Sequence, residues 1–276
     1  MIQGLGPAIS ALRAFAKKLG NAANNVANVS TQGFKKSRLS SQEVASQNVS
    51  TLSSPSQIGS GTTLGEISED FSQGFLEPMS SSTDMAVAGD VFFMVNSSEG
   101  ETYYTRDGEF YLNKNGRLMS TSGEVVQGWA LDPMTGDVQS VIQDIILPSL
   151  TSDDGYGAGN LESVIVNKDG VITGHYSNGR DVNLFQVTIA QFHNPQGLKK
   201  IGNNLYAKTN ASGDAITGQP GTNGLGRITP NALEQSNVDV GTEVVNIILI
   251  KRGFQANLNV ISTENKMIGD VLNIIS

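Results

Sequence analysis

The sequence predicts an α+β fold, with long N- and C-terminal α-helices pairing in a coiled-coil-like core and an all-β, hairpin-rich domain inserted between them. Three observations lead there. Apolar residues recur in alternating steps of four and three at both ends of the 276-residue chain. Between the ends, short β-branched and aromatic runs alternate with Gly and Asn turns. Composition agrees: 31 glycines and a charged fraction of only 16% suit a turn-rich β body better than a helical bundle.

The N-terminal seam consists of Leu5, Ile9, Leu12, Ala16, Leu19, Ala23 and Val26. The C-terminal seam runs through Val240, Val244, Ile247, Phe254, Leu258, Ile261, Ile268, Leu272 and Ile275, with Lys251 and Asn265 at two of its positions. Ser236 or Asn237 is the expected N-cap of this second helix. At about 35 residues it extends ~50 Å. The first helix is intrinsically weak, because Gly4, Gly6, Pro7, Gly20 and the asparagines from Asn21 to Asn28 all lower helicity. Alone in water it would be marginal, and each Leu or Ile left exposed forgoes roughly 1.5–3 kcal/mol of burial. The seams therefore need partners. A hairpin covering one chain's own core is one solution; packing against neighbouring subunits is the other, and narrow seams on long helices favour it.

Residues 1–33 plus 236–276 are read as the helical core domain, 34–70 as an extended connector, and 71–235 as the β-rich domain. The connector is rich in Ser and Thr and low in aromatics. Within the β body, FYLNKNGRLMSTSG (Phe110–Gly123) echoes VIVNKDGVITGHYSNG (Val164–Gly179). Asn115-Gly116 and Asp169-Gly170 are hairpin signals, expected as type I′ turns with positive φ at both central residues.

Chemistry is sparse. The net charge of −8 argues against a nucleic-acid binder. With no cysteine, disulfides, thiolate catalysis and Cys-based zinc sites are excluded. His175 and His193 fall in predicted strands without other ligands at metal spacing, and no G-x-S-x-G occurs. Asn167–Gly170 lacks the acidic series of a calcium loop, and Gly218–Arg227 lacks the ending of a phosphate loop. Asp107, beside Gly108, suits a turn better than acid–base work. No catalytic, cofactor or metal residue is assigned, and an enzyme is the least favoured class behind a structural protein and a β-rich binding module. The first twenty residues do not resemble a cleaved signal peptide, since Arg13, Lys17 and Lys18 follow the apolar positions. The longest apolar run, Ile247–Ile250, is too short to span a bilayer.

ANNVANVSTQGFKKSR, with Asn24, Asn25, Asn28, Thr31, Gly33 and Phe34, closely resembles the signature of bacterial flagellar rod and hook proteins. LEQSNVDVGTEVVNIILIKRGFQANLNVISTENKMIGDVLNII, which holds Ser236, Asn237 and Val238, is similar to the C-terminal segment of that family. FSQGFLEPMSSSTDMAVAGDVFFMV, YYTRDGEFYLNKNGRLMSTSGEVVQGW and FHNPQGLKKIGNNLYAKTNASGDAITGQPGTNGLG resemble its β domain. The resemblance implies an axial structural subunit, exported through the flagellar type III apparatus and polymerised into a hollow helical tube. It further implies that terminal helices line the tube, that the β domain forms its wall, and that no cofactor is used. Implied partners are further copies of the chain, other axial proteins (rod, hook cap and hook–filament junction proteins) and the export apparatus, with no nucleic acid and no membrane insertion; the implied location is the basal body and hook, outside the cell after export. VVQGWALDPMTGDV and GVITGHYSNGRDVNLFQVTIAQF resemble hook subunits more than distal rod subunits. The short span from Leu147 to Leu161 leaves no room for the outer domain of many hook proteins. The expectation is a short hook subunit, with a distal rod subunit as the alternative. Phe34–Ser68 is expected to act as a compliant connector, and Gly33 to permit a chain reversal before it.

Overall fold

A computed structural model of the protein describes residues 5–50, 55–132, 135–148, 159–222 and 224–275. The span between Leu147 and Leu161, where an outer domain was judged absent, lies largely outside these. The chain divides into two units. One comprises Met1–Val29, Lys36–Asp70 and Val238–Ser276, the other Ser30–Lys35 and Phe71–Asn237.

In the first unit, helix α1 (Leu5–Ala27) packs along the C-terminal helix α2 (Val240–Ile275). The contact is close: a Cβ at Gly253 would lie 2.6 Å from the Phe15 ring. The buried residues of α1 are Ala8, Ala14, Ala22 and Asn25, none of them in the predicted seam, while the seam residues Leu5, Leu12 and Val26 are half-buried along with Ala11, Phe15 and Lys18. On α2 the covered positions include Glu243, Ile247, Phe254, Asn257, Ile261, Glu264 and Ile268. Half of the predicted α2 seam is thus covered and half is not. The absence of a side chain at Gly253 makes room for the Phe15 ring, so the contact brings a residue one position from the predicted seam against α2.

Strand β1 (Ser37–Glu43) pairs with β4 (Thr62–Glu69), and β2 (Gln47–Ser50) with β3 (Pro55–Ile58), as a two-stranded ribbon. The ribbon is no loose connector; Lys36–Asp70 groups with the helices. At one end the Ser37 backbone is gripped by Asn25, which accepts its N–H at 3.0 Å and donates to its carbonyl at 2.9 Å. Asn21 adds a second donor to that carbonyl at 2.7 Å and accepts the Ser37 hydroxyl at 2.6 Å. At the other end the Thr62 N–H donates to Ser10 Oγ at 3.1 Å. From Ser10 to Asn25 a helix advances roughly 22 Å at ~1.5 Å per residue, and seven strand residues cover about the same distance at ~3.3 Å each. The helix and ribbon match in length between their two lashings. An isolated two-stranded ribbon is marginal in water, and α1 stabilises this one.

The second unit contains β5 (Leu76–Pro78), β6 (Met85–Ala88), β7 (Val91–Asn96), β8 (Thr102–Thr105), β9 (Phe110–Leu112), β10 (Leu118–Ser120), β11 (Val125–Leu131), β12 (Val138–Asp144), β13 (Leu161–Val166), β14 (Val171–Tyr176), β15 (Asp181–Val187), β16 (Ile189–Gln191), β17 (Lys199–Gly202), β18 (Leu205–Ala207), β19 (Ile216–Gly218), β20 (Arg227–Pro230) and β21 (Ala232–Glu234). Its main sheet is antiparallel, in the order β13-β14-β15-β11-β7-β8-β18-β17, with further strands branching from β11 and β7. Two small ladders, β20 with β6 and β21 with β5, return the end of the unit to its beginning. β7 explains the uninterrupted VFFMV run. Val91, Phe93 and Val95 enter the large core with Val126, Ile172 and Val187, whereas Phe92 joins an aromatic cluster with Tyr104, Phe192 and Tyr206. Both faces of this strand are buried, so polar alternation is absent.

The two echoed turns are hairpins, but not of type I′. Among the described residues, positive φ occurs at Gly116 and Gly170 but not at Asn115 or Asp169. Asn113 and Asn167 each accept two backbone N–H groups through their side-chain oxygens. A three-residue loop closed by a left-handed glycine fits this pattern. Consecutive positive φ values occur instead at Gly202, Asn203 and Asn204, where β17 turns into β18.

Candidate functional site

Three short segments carry the chain into or out of the β unit: Ser30–Lys35, the stretch starting at Phe71, and the stretch ending at Asn237. All three are bound to one another around a buried carboxylate. Glu234, the last residue of β21, has no solvent-exposed side-chain surface. Its Oε1 accepts from Lys35 Nζ at 2.6 Å and from the Gly74 N–H at 2.8 Å. Its Oε2 accepts from Arg106 Nη1 at 3.3 Å. Lys35 Nζ donates in addition to the Ser72 carbonyl at 2.7 Å.

Backbone bonds tighten the same place. The Gly33 N–H donates to the Glu234 carbonyl at 2.7 Å, and the Asn237 N–H to the Phe34 carbonyl at 3.4 Å. The Asn237 side chain donates to the Ser72 carbonyl and hydroxyl, both at 3.1 Å. Gly33 is required twice over. Its φ of +66° lies in the left-handed region, and a Cβ there would sit 2.5 Å from the Asp107 nitrogen. Phe34 is buried, with Lys200 Nζ 4.4 Å from its ring centroid. These contacts also move the α2 cap. Asn237 is committed to Ser72, and Asp239 caps the helix by accepting the Thr242 N–H at 2.6 Å. The Thr242 side chain and then this backbone N–H hold the Asp239 carboxyl below its ordinary pKa.

Arg106 is the least satisfied member. Its guanidinium is fully buried, 5.0 Å above the Phe92 ring centroid, and Nε and Nη2 have no protein partner. Burial pulls its pKa below the ordinary arginine value against the attraction of Glu234. Two cations thus share one carboxylate inside the domain. Removing one partner from a buried ion cluster strands the others without compensation, which typically costs about 3–5 kcal/mol.

Beside this tie, Thr31, Gln32, Asp107, Glu109 and Asn204 border a polar cleft of about 400 Å³. Asp107 accepts the Glu109 N–H at 3.1 Å. Burial, aided by the charges of Glu109 and Asp84, pushes its carboxyl up to about 6. Among the described residues no cluster of three or more metal-ligating side chains occurs, and no helix is long and apolar enough to cross a membrane. His193 lies just past β16 rather than within a strand, and His175 faces Asp181 across β14 and β15.

Of the residues singled out in the sequence, Gly33, Phe34 and Asn237 take part in the tie, and Asn25 grips the ribbon. Asn28 returns to the Asn24 carbonyl at 2.9 Å, and Thr31 lines the cleft. Val238 is buried, and Ser236 is half-buried. The seam residues split. Leu5, Leu12, Val26, Ile247, Phe254, Ile261 and Ile268 are half-buried, whereas Ile9, Leu19, Val244, Leu258 and Leu272 are exposed. Lys35, Arg106 and Glu234 were missed. The available signal was that each is a charged residue inside a motif-like stretch, in GFKK, YTRDG and LEQSN.

Those stretches fall where known families match. Residues 86–174 match the flagellar hook protein FlgE/F/G D1 domain, 7–35 the flagella basal body rod protein family, and 229–274 the flagellar basal body rod FlgEFG protein C-terminal segment. The flagellar basal-body rod protein FlgG of Borreliella burgdorferi is 30% identical over 99% of both chains. The chain belongs to the flagellar rod and hook protein family. It is an axial structural protein of the flagellum, in a family that is structural and not enzymatic. FlgG of Bacillus subtilis is 32% identical, again over 99% of both chains. The flagellar hook protein FlgE of Salmonella typhimurium is 40% identical, but over 45% of this chain and 31% of its own. Helicobacter pylori flagellar hook protein FlgE2 aligns at 18% identity with a TM-score of 0.25, too distant to bear on the fold. The end-to-end relatives are rod proteins, which favours the rod alternative over the hook expectation drawn from Val125–Val138 and Gly170–Phe192.

Proposed function

We propose that this axial protein is a subunit of the distal rod, self-associating through its terminal helices into the rigid shaft that carries torque out of the basal body. The observation that carries the rod assignment is length: rod proteins correspond to it from end to end, with 99% of each chain aligned. Self-association is supported by the aliphatic stripes that α1 and α2 leave uncovered in one chain, including Ile9, Leu19, Val244, Leu258 and Leu272. Neighbouring copies would cover them, and other axial proteins would continue the same packing at the ends of the shaft. The export apparatus is the proposed route to that position.

A second reading, a short hook subunit, is favoured by the higher identity of 40% over 124 residues to a hook protein. Gold-labelled antibody against the β unit, applied to isolated basal bodies with hooks attached, separates the two. The rod reading expects label on the straight segment within the envelope-spanning rings. Label confined to the curved segment beyond them would replace it with the hook reading.

A further inference from the structure

The chain crosses between its two units at four places: after Val29, Lys35, Asp70 and Asn237. Each crossing is at most a few residues from a bond in the tie. The Gly33 and Lys35 bonds serve the first two crossings, Ser72 and Gly74 the third, and Glu234 with Asn237 the fourth. A pull arriving along a connecting segment therefore meets bonds to another connecting segment within a few residues of its entry, beside the Asn204 bond to the Gln32 carbonyl and the packing of Phe71 on Phe92 and Tyr206 that join the segments to the sheet. The bonds are also of the kind that resists such a pull. The central one is an ion pair with both side chains fully buried, where solvent does not screen it and no water stands ready to replace either partner.

From this arrangement we infer that the Glu234 cluster is a load bypass, a buried ionic tie that passes force between the connecting segments and so lowers the share carried by the main β-sheet. Glu234 is its centre, because it alone contacts Lys35, Gly74 and Arg106. The β unit then rides on the load path as a rigid body. The biological meaning rests on the axial-subunit reading, but the mechanics do not. A chain found elsewhere in the cell would leave the rupture behaviour below unchanged, so the two ideas fail separately.

Single-molecule pulling of the full chain in two geometries tests the inference. One geometry pulls on the chain termini. The other uses Asn115→Cys and Asp169→Cys at two hairpin turns, where handles are unambiguous because the sequence has no cysteine of its own. Glu234→Gln is expected to raise the unfolding rate of the β unit under terminal load about a hundredfold, and to change it far less when the hairpin turns are pulled. Lys35→Met, read by the same criteria, replaces Glu234→Gln if that variant does not fold. An equal change in both geometries would make the cluster an ordinary stabilising contact and overturn the inference. No change under terminal load would overturn it as well.

Discussion

The β unit and the helical unit treat apolar side chains in opposite ways. In the β unit, Phe92 and Phe93 are fully buried on opposite faces of β7, and the ladders β20–β6 and β21–β5 close its ends. In the helical unit, α2 leaves Leu249 at 61% and Leu272 at 63% exposure along a helix of 36 residues. The two helices meet where Gly253 receives the Phe15 ring, and the residues of α1 that are fully buried are Ala8, Ala14, Ala22 and Asn25. One unit is finished within a single chain. The other leaves aliphatic side chains along both helices uncovered, and burying each large one would be worth roughly 1.5–3 kcal/mol. If neighbouring copies cover the stripe, as proposed, this division leaves the β domain independent of assembly and makes the helices depend on it.

The sharpest way to break the contrast is to hollow the finished unit. Phe93→Ala should cost about 3–5 kcal/mol through lost burial and a residual cavity, read as a drop in the β-unit transition in urea. A smaller loss, of about 1–3 kcal/mol, is expected for Asn25→Ala, because the Ser37 N–H loses its acceptor and its carbonyl one donor. That loss should be confined to the helical unit, seen as faster hydrogen exchange in β1 and β4 with β7 unchanged.

Asp107 offers a pH-dependent refinement. Its folded pKa, about 6, lies above the ordinary 3.8, so the folded state resists its ionisation. Below about pH 4 the carboxyl is protonated in both states and carries no penalty. Stability of the β unit should then fall as pH rises from about 4 to about 6, on the order of 3 kcal/mol in all, and level off above. Asp107→Asn should flatten that part of the profile and leave the protein more stable at pH 7; an unchanged profile would show that Asp107 is not its source. The smallest effect belongs to the exposed stripe. Leu249→Ala should shift monomer stability by less than about 0.5 kcal/mol while raising the concentration needed for polymer to form, measured by sedimentation.

Much of this organisation was legible in the residues. Heptad-like spacing located both helices, and alternation with Asn/Gly turns located the β body. The exposed stripe was visible too, as a seam in need of partners, but which residues the two helices of one chain bring together was not. Periodicity reports where large apolar side chains lie, whereas a glycine such as Gly253 leaves no mark in it, although it is what admits the Phe15 ring. The ribbon lashing escaped because Asn21 and Asn25 act on the backbone of Ser37, and backbone partners leave no trace in side-chain pattern. The tie escaped for a different reason. Lys35 and Glu234 are 199 residues apart in sequence, and a lone charge inside a loop normally signals a solvated surface. Only the fold brings the three charges together and shuts water out.

Hydrogen exchange on the full chain, first as dilute monomer and then as polymer, tests the central claim most directly. In the monomer, amides of β7 and β11 should be protected by several orders of magnitude more than those of α2 between Ile247 and Ile268. Polymerisation should slow exchange in α2 strongly and leave β7 almost unchanged. Equal protection of α2 and β7 in the dilute monomer would contradict the account, because the helical unit would then be as complete without neighbours as the β unit is.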